Sequence, residues 1–181
     1  MTNITQRMSD IIFEQVKAYF LNSSLESLST NDHKEIFFYS RLSLILVANA
    51  DFRLLIKVHC NESDVRTLAK EALQYVEQGR DDGLTDFIKE LTNLLGGALK
   101  RTLEVSRIQI GLSLPLMIRG FDELFSEKIA STESSIFSFG RNGQKIVVQV
   151  QLDYLTDKAK GLLSQVDFSV GSDSSGGFEF L

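Results

Sequence analysis

The first half of the chain changes its hydrophobic period from helical to extended. Residues 8–20 carry apolar side chains at spacings of three and four, which predicts an amphipathic helix. Polar stretches at 22–24 and 29–32 predict a loop. Apolar and polar residues then alternate over 42–46 and again over 52–58, which predicts a two-stranded antiparallel hairpin with one buried face.

Two further helices are predicted in the middle of the chain. Asn61 is a suitable N-cap residue, and the apolar stripe behind it predicts a helix that ends at Gly79. A polar break at 80–83 separates it from a second, longer helix over 85–104. The core face of this longer helix consists of apolar residues at helical spacing: Phe87, Ile88, Leu91, Leu94, Leu95 and Ala98.

The second half of the chain is predominantly extended. Alternation over 108–114 predicts a strand, and we expect 116–135 to be irregular. Residues 136–139 and 145–153 flank an Asn-Gly pair at 142–143, which predicts a second hairpin because Asn-Gly suits a turn with positive φ.

The order of these elements predicts the fold class. A helix, two strands, two helices and three strands indicate an α+β protein with a largely antiparallel sheet covered by long helices. The length of 181 residues favours a single domain, which we assign to 1–168. Residues 169–181 are rich in Gly, Ser and Asp, and we expect a flexible C-terminal tail there.

Composition and charge exclude several classes of function. A formal net charge of -5 argues against nonspecific binding to nucleic acid or to an anionic membrane. No apolar run approaches the length of a membrane span, and the first residues lack the apolar core of a signal peptide. The single cysteine excludes an internal disulfide framework. We therefore expect a cytoplasmic protein without membrane insertion.

The isolated candidates for chemistry all have simple structural explanations. Cys60 is expected to be a structural thiol, since no His/Asn partner is evident. His33 and His59 are expected at the surface, and two histidines with one cysteine make a dedicated metal site improbable. Lys100 and Arg101 are ordinary cations late in a helix.

One face of the predicted 85–104 helix is polar. At 100° per residue, Asp86, Glu90 and Asn93 fall within about 60° of one another, and Gly97 lies on the same side. Such a face is usually just solvated, and Asp/Ser-x3-Glu-x2-Asn would match by chance in about one chain of this length in ten. The pair formed by Gly96 and Gly97 is unusual, because a helical Gly costs about 1 kcal/mol relative to Ala. Either another backbone approaches this surface closely or the glycines pack against a neighbouring element.

A family resemblance gives this face a function. Asp86-x3-Glu90-x2-Asn93, followed by Gly97 and by the Leu-Pro-x-x-Ile-x-Gly segment at 114–120, resembles the signature of the CheC/CheX/FliY chemotaxis phosphatases. The resemblance covers residues 35–155, and the single copy of the motif is similar to the CheX-like branch. The spacing departs slightly from the family pattern, because 21 residues separate the Asn from the Pro that follows it, one fewer than usual.

The resemblance implies a hydrolase of two-component signalling. Its substrate would be the aspartyl phosphate of a CheY-type response-regulator receiver domain. Asn93 would position the attacking water and Glu90 would pair with the receiver lysine, as the two catalytic residues. Asp86 and Gly97 would contribute to docking of the partner. The chain would need no cofactor of its own, since the receiver domain supplies Mg²⁺.

Two other functions remain open at this stage. The same helix face would also suit a non-catalytic module that binds a receiver domain or a flagellar switch component. An enzyme acting on a small ligand is less well supported, because neither a phosphate-cradling Gly-rich loop nor a nucleophile motif is present. CheX-like proteins are known as dimers joined through sheet elements, so a homodimer is also implied, with the aromatic segment 37–39 as one candidate contact.

Overall fold

The protein is described by a computed structural model. It describes residues 3–21, 25–29, 38–70, 83–123 and 132–169. Besides a short 3₁₀ turn at Thr5–Met8, these residues form four α-helices: α1 (Ser9–Tyr19), α2 (Glu62–Leu68), α3 (Gly83–Val105) and α4 (Ala159–Ser164). They also form seven strands: β1 (Glu26–Ser29), β2 (Phe38–Ala48), β3 (Phe52–Cys60), β4 (Gly111–Leu112), β5 (Leu116–Glu123), β6 (Thr132–Arg141) and β7 (Gln144–Tyr154).

Within the described residues the strands make one antiparallel sheet in the order β1-β6-β7-β3-β2, with β4 and β5 both pairing with β2. The first predicted hairpin is β2–β3, in which Ile45 lies opposite Ile56. The second is β6–β7, and its turn residues Asn142 and Gly143 have φ values of 53° and 85°. The prediction of an α+β fold with a largely antiparallel sheet is confirmed.

The main core lies between one face of this sheet and the helices. Strand β2 directs Ile45 and Val47 into it, and α3 contributes residues spaced by four, such as Leu91, Leu95 and Leu99, all of which are almost fully buried. Close packing of this kind gains free energy from every apolar side chain removed from water, about 1.5–3 kcal/mol for each large one. Helix α3 is therefore held rigidly on the sheet.

The prediction that 116–135 is irregular is wrong for 116–123 and 132–135, and residues 124–131 lie outside the described part of the chain. Residues Leu116–Glu123 form β5, which pairs with β2 so that Leu44 lies opposite Leu116, and β6 begins at Thr132. Conversely, the strand predicted over 108–114 is reduced to the two residues of β4. Both sides of β5 carry apolar residues at its start: Leu116 and Ile118 are exposed, and Met117 packs on the core. The strand therefore lacks the alternation of apolar and polar residues that would have predicted it.

The surface position expected for His59 is also wrong. Its side chain is only 2% exposed, and its ring lies 5.6 Å from the ring of Tyr39. The neighbouring residues on the two adjacent strands, Leu42 and Val147, are apolar and buried as well. The second face of the sheet is therefore not simply a solvated surface.

Cys60 behaves as a structural thiol. Its side chain is fully buried at the end of β3, and burial raises the pKa of the thiol to about 12. A thiol with so high a pKa carries almost no thiolate at neutral pH, which makes it a poor nucleophile.

Several local expectations have mixed outcomes. Helix α2 begins directly after Asn61, but the Asn61 side chain accepts a hydrogen bond from the Ser40 amide at 3.1 Å and does not cap the helix. Strand β1 and helix α4 were not foreseen. Of the polar stretches predicted to form a loop, 22–24 and 30–32 lie outside the described residues, and Ser29 belongs to β1. His33, the end of the helix predicted to stop at Gly79 and most of the predicted tail also lie outside them.

Candidate functional site: the outer face of helix α3

Helix α3 presents two different faces. The inner face is continuous and buried, and two of its polar members, Thr92 and Thr102, donate hydrogen bonds to the carbonyl groups of Ile88 and Ala98 at 2.8 and 3.1 Å. The donors of these two buried hydroxyls are therefore satisfied by backbone carbonyl groups of the same helix. The inner face is purely structural.

The outer face carries the residues of the sequence motif. Asp86 and Glu90 are exposed, and Asn93 and Gly97 are half-buried on the same side of the helix. In the described part of the chain, the side chains of Asp86, Glu90 and Asn93 make no hydrogen bond or ion pair. The structure therefore brings the predicted site residues together on one accessible surface, where their polar groups can bind a partner.

Helix α1 packs against the first half of α3, beside this face. The Tyr19 hydroxyl donates a hydrogen bond to the backbone carbonyl of Phe87 at 2.9 Å, and the two rings are 4.5 Å apart. The pKa of Tyr19 is raised, first by burial and then by the negative charge of Glu90. Glu90 therefore stands at the edge of the α1–α3 contact, and Tyr19 fixes the helical turn that precedes it.

The segment that carries the Leu-Pro part of the motif lies along the other side of α3. Leu112 of β4 contacts the helix at Gly96, and Arg119 of β5 donates a hydrogen bond to the Thr85 hydroxyl at 3.1 Å. Pro115, which connects these two strands along the chain, is half-buried. The two parts of the sequence motif are thus adjacent in the folded protein.

The two glycines of α3 have opposite environments. A Cβ on Gly96 would lie 3.0 Å from Leu112 and 3.1 Å from Ile45, so this glycine lets the helix approach the sheet closely. A Cβ on Gly97 would meet only the Nη1 atom of Arg101, at 3.4 Å. Gly97 therefore leaves a low point on the outer face, and the Arg101 guanidinium lies over it.

Other features of the described residues do not compete with this face as a catalytic centre. No cluster of three or more His, Cys, Asp or Glu residues suited to a metal ion occurs among them. A cavity of about 360 Å³ lies between the start of β6 and the residues after β7, and it is lined by Thr132, Glu133, Tyr154, Leu155, Thr156, Asp157 and Lys160. Its Glu133 carboxylate already accepts hydrogen bonds from the Tyr154 hydroxyl at 2.6 Å and from the Ile4 amide at 2.8 Å, which points to a structural role.

An apolar strip follows β4 and continues along β5. Leu114 is 89% exposed, Leu116 is 56% exposed and Ile118 is 44% exposed. Exposed apolar residues that lie side by side on a strand favour contact with another protein surface. Among the helices of the described residues, none has the length and apolar character needed to cross a membrane.

The fold matches several solved structures closely in shape and weakly in sequence. The CheX chemotaxis protein of Vibrio vulnificus matches with a TM-score of 0.66 and 16% identity, over 83% of this chain and 99% of that chain. A CheC-like protein of Shewanella sp. PV-4 also has a TM-score of 0.66, with 15% identity over 84% of this chain and 99% of the other.

A third match was solved with a bound partner. It is a CheX from Borrelia burgdorferi in a CheX-CheY-BeF₃-Mg²⁺ complex, with a TM-score of 0.60 and 14% identity over 84% of this chain and 98% of that chain. No protein-family model and no curated protein matches this sequence. Across most of its length, the chain has the fold of the CheX- and CheC-like chemotaxis proteins.

Proposed function

We propose that this protein is a phosphatase that hydrolyses the aspartyl phosphate of a CheY-type response-regulator receiver domain in a chemotaxis pathway. One observation carries the proposal. In a chain with the fold of CheX, the Glu90 carboxylate and the Asn93 amide stand one turn apart on the outer face of α3, and neither has a hydrogen-bond or ion-pair partner among the described residues. Such a face can enter the active site of a second protein, so the phosphatase itself needs no deep cavity.

The reaction requires little more than a positioned water. An acyl phosphate is already reactive, and attack by water on phosphorus breaks the bond to the aspartyl oxygen, releasing inorganic phosphate and regenerating the carboxylate. The Asn93 carboxamide can donate one hydrogen bond and accept another, so it can hold a water in line with the bond that breaks. An immobilised water of this kind removes much of the entropic part of the barrier.

The neighbouring residues of the face would align the partner. Glu90 is proposed to form an ion pair with the lysine that receiver domains place beside their phosphorylated aspartate. Asp86, one turn earlier, adds negative charge to the docking surface, and Gly97 allows the partner backbone to approach. Mg²⁺ belongs to the receiver in this scheme, where it neutralises charge that develops on the phosphoryl group.

The alternative is a non-catalytic module that binds a receiver domain or a switch component through the same face. Turnover separates the two functions. Protein at one-twentieth of the concentration of a phosphorylated CheY-type receiver, with Mg²⁺ present, should clear all of the phosphoreceiver if it is an enzyme. A binding module would protect or sequester only one equivalent.

Replacement of Asn93 tests the mechanism. Asn93→Ala should lower the rate of phosphate release by about 100-fold or more, the scale expected when one group that acts in the transition state is lost. Gln109→Ala is the matched control, because it removes an exposed carboxamide outside the α3 face. An unchanged rate in the Asn93 variant, or an equal loss in both variants, would remove Asn93 from the mechanism.

A homodimer remains a prediction, and the apolar strip of Leu114, Leu116 and Ile118 supports it. Burial of these side chains against a second copy would remove an exposed apolar surface from water.

A further inference from the structure

Arg101 lies on the proposed docking face, although the sequence alone indicates only an ordinary cation late in the helix. Its Nη1 atom is 3.4 Å from the point that a Cβ on Gly97 would occupy, so its guanidinium lies over Gly97. Helical side chains lean toward the N-terminus of their helix, and this brings the charge of Arg101 back by one turn toward Asn93. The i, i+4 spacing of Gly97 and Arg101 was the available signal in the sequence.

The charge of Arg101 is not neutralised within the described part of the protein. Glu104, three residues later, lies 3.7 Å from the Nζ atom of Lys100, and no ion pair or hydrogen bond involves the Arg101 guanidinium. Elsewhere, Arg53 has its own carboxylate partner, with its Nε atom 2.6 Å from Asp153. An exposed arginine that has no partner in the described ranges and is held next to a glycine is suited to bind an anionic group of another molecule.

The outer face therefore has an order of charges along its axis. The carboxylates of Asp86 and Glu90 come first, the neutral amide of Asn93 follows, and the guanidinium over Gly97 comes next. Gly97 follows Glu90 by seven positions, which corresponds to about 10 Å along a helix. A partner that carries a lysine at one end of its contact surface meets attraction in one orientation and repulsion in the reverse one.

We propose that Arg101 is a second recognition residue, which pairs with an acidic side chain of the docked receiver domain on the side of the phosphoryl group opposite its lysine. This inference rests on the proposed function. A carboxylate fits better than the phosphoryl group itself, because the guanidinium lies against Gly97, one turn beyond Asn93, whereas the phosphoryl group must stand outward from the Asn93 amide with a water between them. Glu90 and Arg101 together then set the direction in which the receiver crosses α3.

Steady-state kinetics of the Arg101→Gln variant test this role. The assay uses the phosphorylated receiver that the wild-type protein dephosphorylates, and binding is measured with the same receiver loaded with beryllofluoride and Mg²⁺. We expect KM and Kd to rise by about 5- to 10-fold, the scale of one partly desolvated ion pair, with kcat unchanged. Arg107→Gln is the matched control, because Arg107 is an exposed cation just beyond the end of α3.

Each result has one interpretation. A rise in KM and Kd for Arg101→Gln alone supports the ion pair with the receiver. An equal change in both variants indicates general charge steering and overturns the proposal, as does no change in either one. A fall in kcat at constant KM also overturns it, since the guanidinium would then act on the phosphoryl group. Wild-type protein that neither binds nor turns over any receiver defeats the proposed function itself.

Discussion

The two faces of helix α3 differ in whether their polar side chains have hydrogen-bond partners within the described residues. On the inner face, Thr92 and Thr102 are hydrogen-bonded to the helix itself and the apolar residues are packed against the sheet. On the outer face, Glu90 and Asn93 have no partner among the described residues, although other acids such as Asp153 are bonded to several groups. The difference indicates that one face supplies stability and the other remains available for recognition.

The adjacent residues Gly96 and Gly97 show the same difference between the inner and the outer face. At Gly96, the side chains of Ile45 and Leu112 lie 3.0–3.2 Å from the position of an added Cβ, so a larger residue would have to displace them. Gly97 has no such restriction, and yet it reduces the helix propensity by about 1 kcal/mol relative to Ala. A substitution at each position, and one at Glu90, should separate folding from docking.

The largest effect is expected for Glu90→Lys on the outer face. The variant places a cation opposite the receiver lysine, so binding of the beryllofluoride-loaded receiver should be lost. Its stability should change by less than about 0.5 kcal/mol, because the side chain is exposed and forms no ion pair with the residues that the structure describes. Calorimetric titration with the loaded receiver and urea unfolding give the two quantities. Retained affinity would refute the ion pair assigned to Glu90.

A smaller effect is expected for Gly96→Ala on the inner face, where the substitution should lower stability and leave activity unchanged. The new methyl group would come within 3.0–3.2 Å of Leu112 and Ile45, and overpacking of this kind costs about 1–3 kcal/mol. Urea unfolding should show the loss of stability, whereas kcat of the folded fraction should stay close to that of the wild type. A variant of unchanged stability would mean that the helix and the sheet are less tightly packed than the structure shows.

The smallest effect is expected for Gly97→Ala. This substitution should raise the stability of the protein and lower its affinity for the receiver. The free energy of unfolding should rise by about 0.5–1 kcal/mol, because Ala is the better helix former and only the movable Arg101 side chain lies near its methyl group. Affinity for the loaded receiver should fall by about tenfold, because the methyl group fills the low point of the docking face. Gains in both stability and affinity would show that the partner does not approach Gly97.

The sequence predicted those strands in which apolar and polar residues alternate. The β2–β3 and β6–β7 hairpins have one buried face each, and the positive φ angles of Asn142 and Gly143 match the predicted turn. Strand β5 was missed because its exposed side carries Leu116 and Ile118, which removes the alternation that marks a strand. Its pairing with β2 is a long-range contact that local pattern does not encode.

The site was predictable where it depended on the period of one helix. The positions of Glu90 and Asn93 on an accessible face follow from offsets of three and four residues. The contributions from other elements were not predictable in this way. The hydroxyl of Tyr19 reaches the Phe87 carbonyl across 68 residues of sequence, and the burial of His59 depends on residues of the two neighbouring strands, β2 and β7.

The hydrogen bond from Tyr19 to Phe87 has a consequence for shortened versions of the protein. Tyr19 and Phe20 both pack on the Phe87 ring, with ring centroids 4.5 and 5.4 Å away. Deletion of the first twenty residues would leave that ring, and the turn before Glu90, open to water. The smallest fragment that keeps the recognition helix in place must therefore include the N-terminal helix.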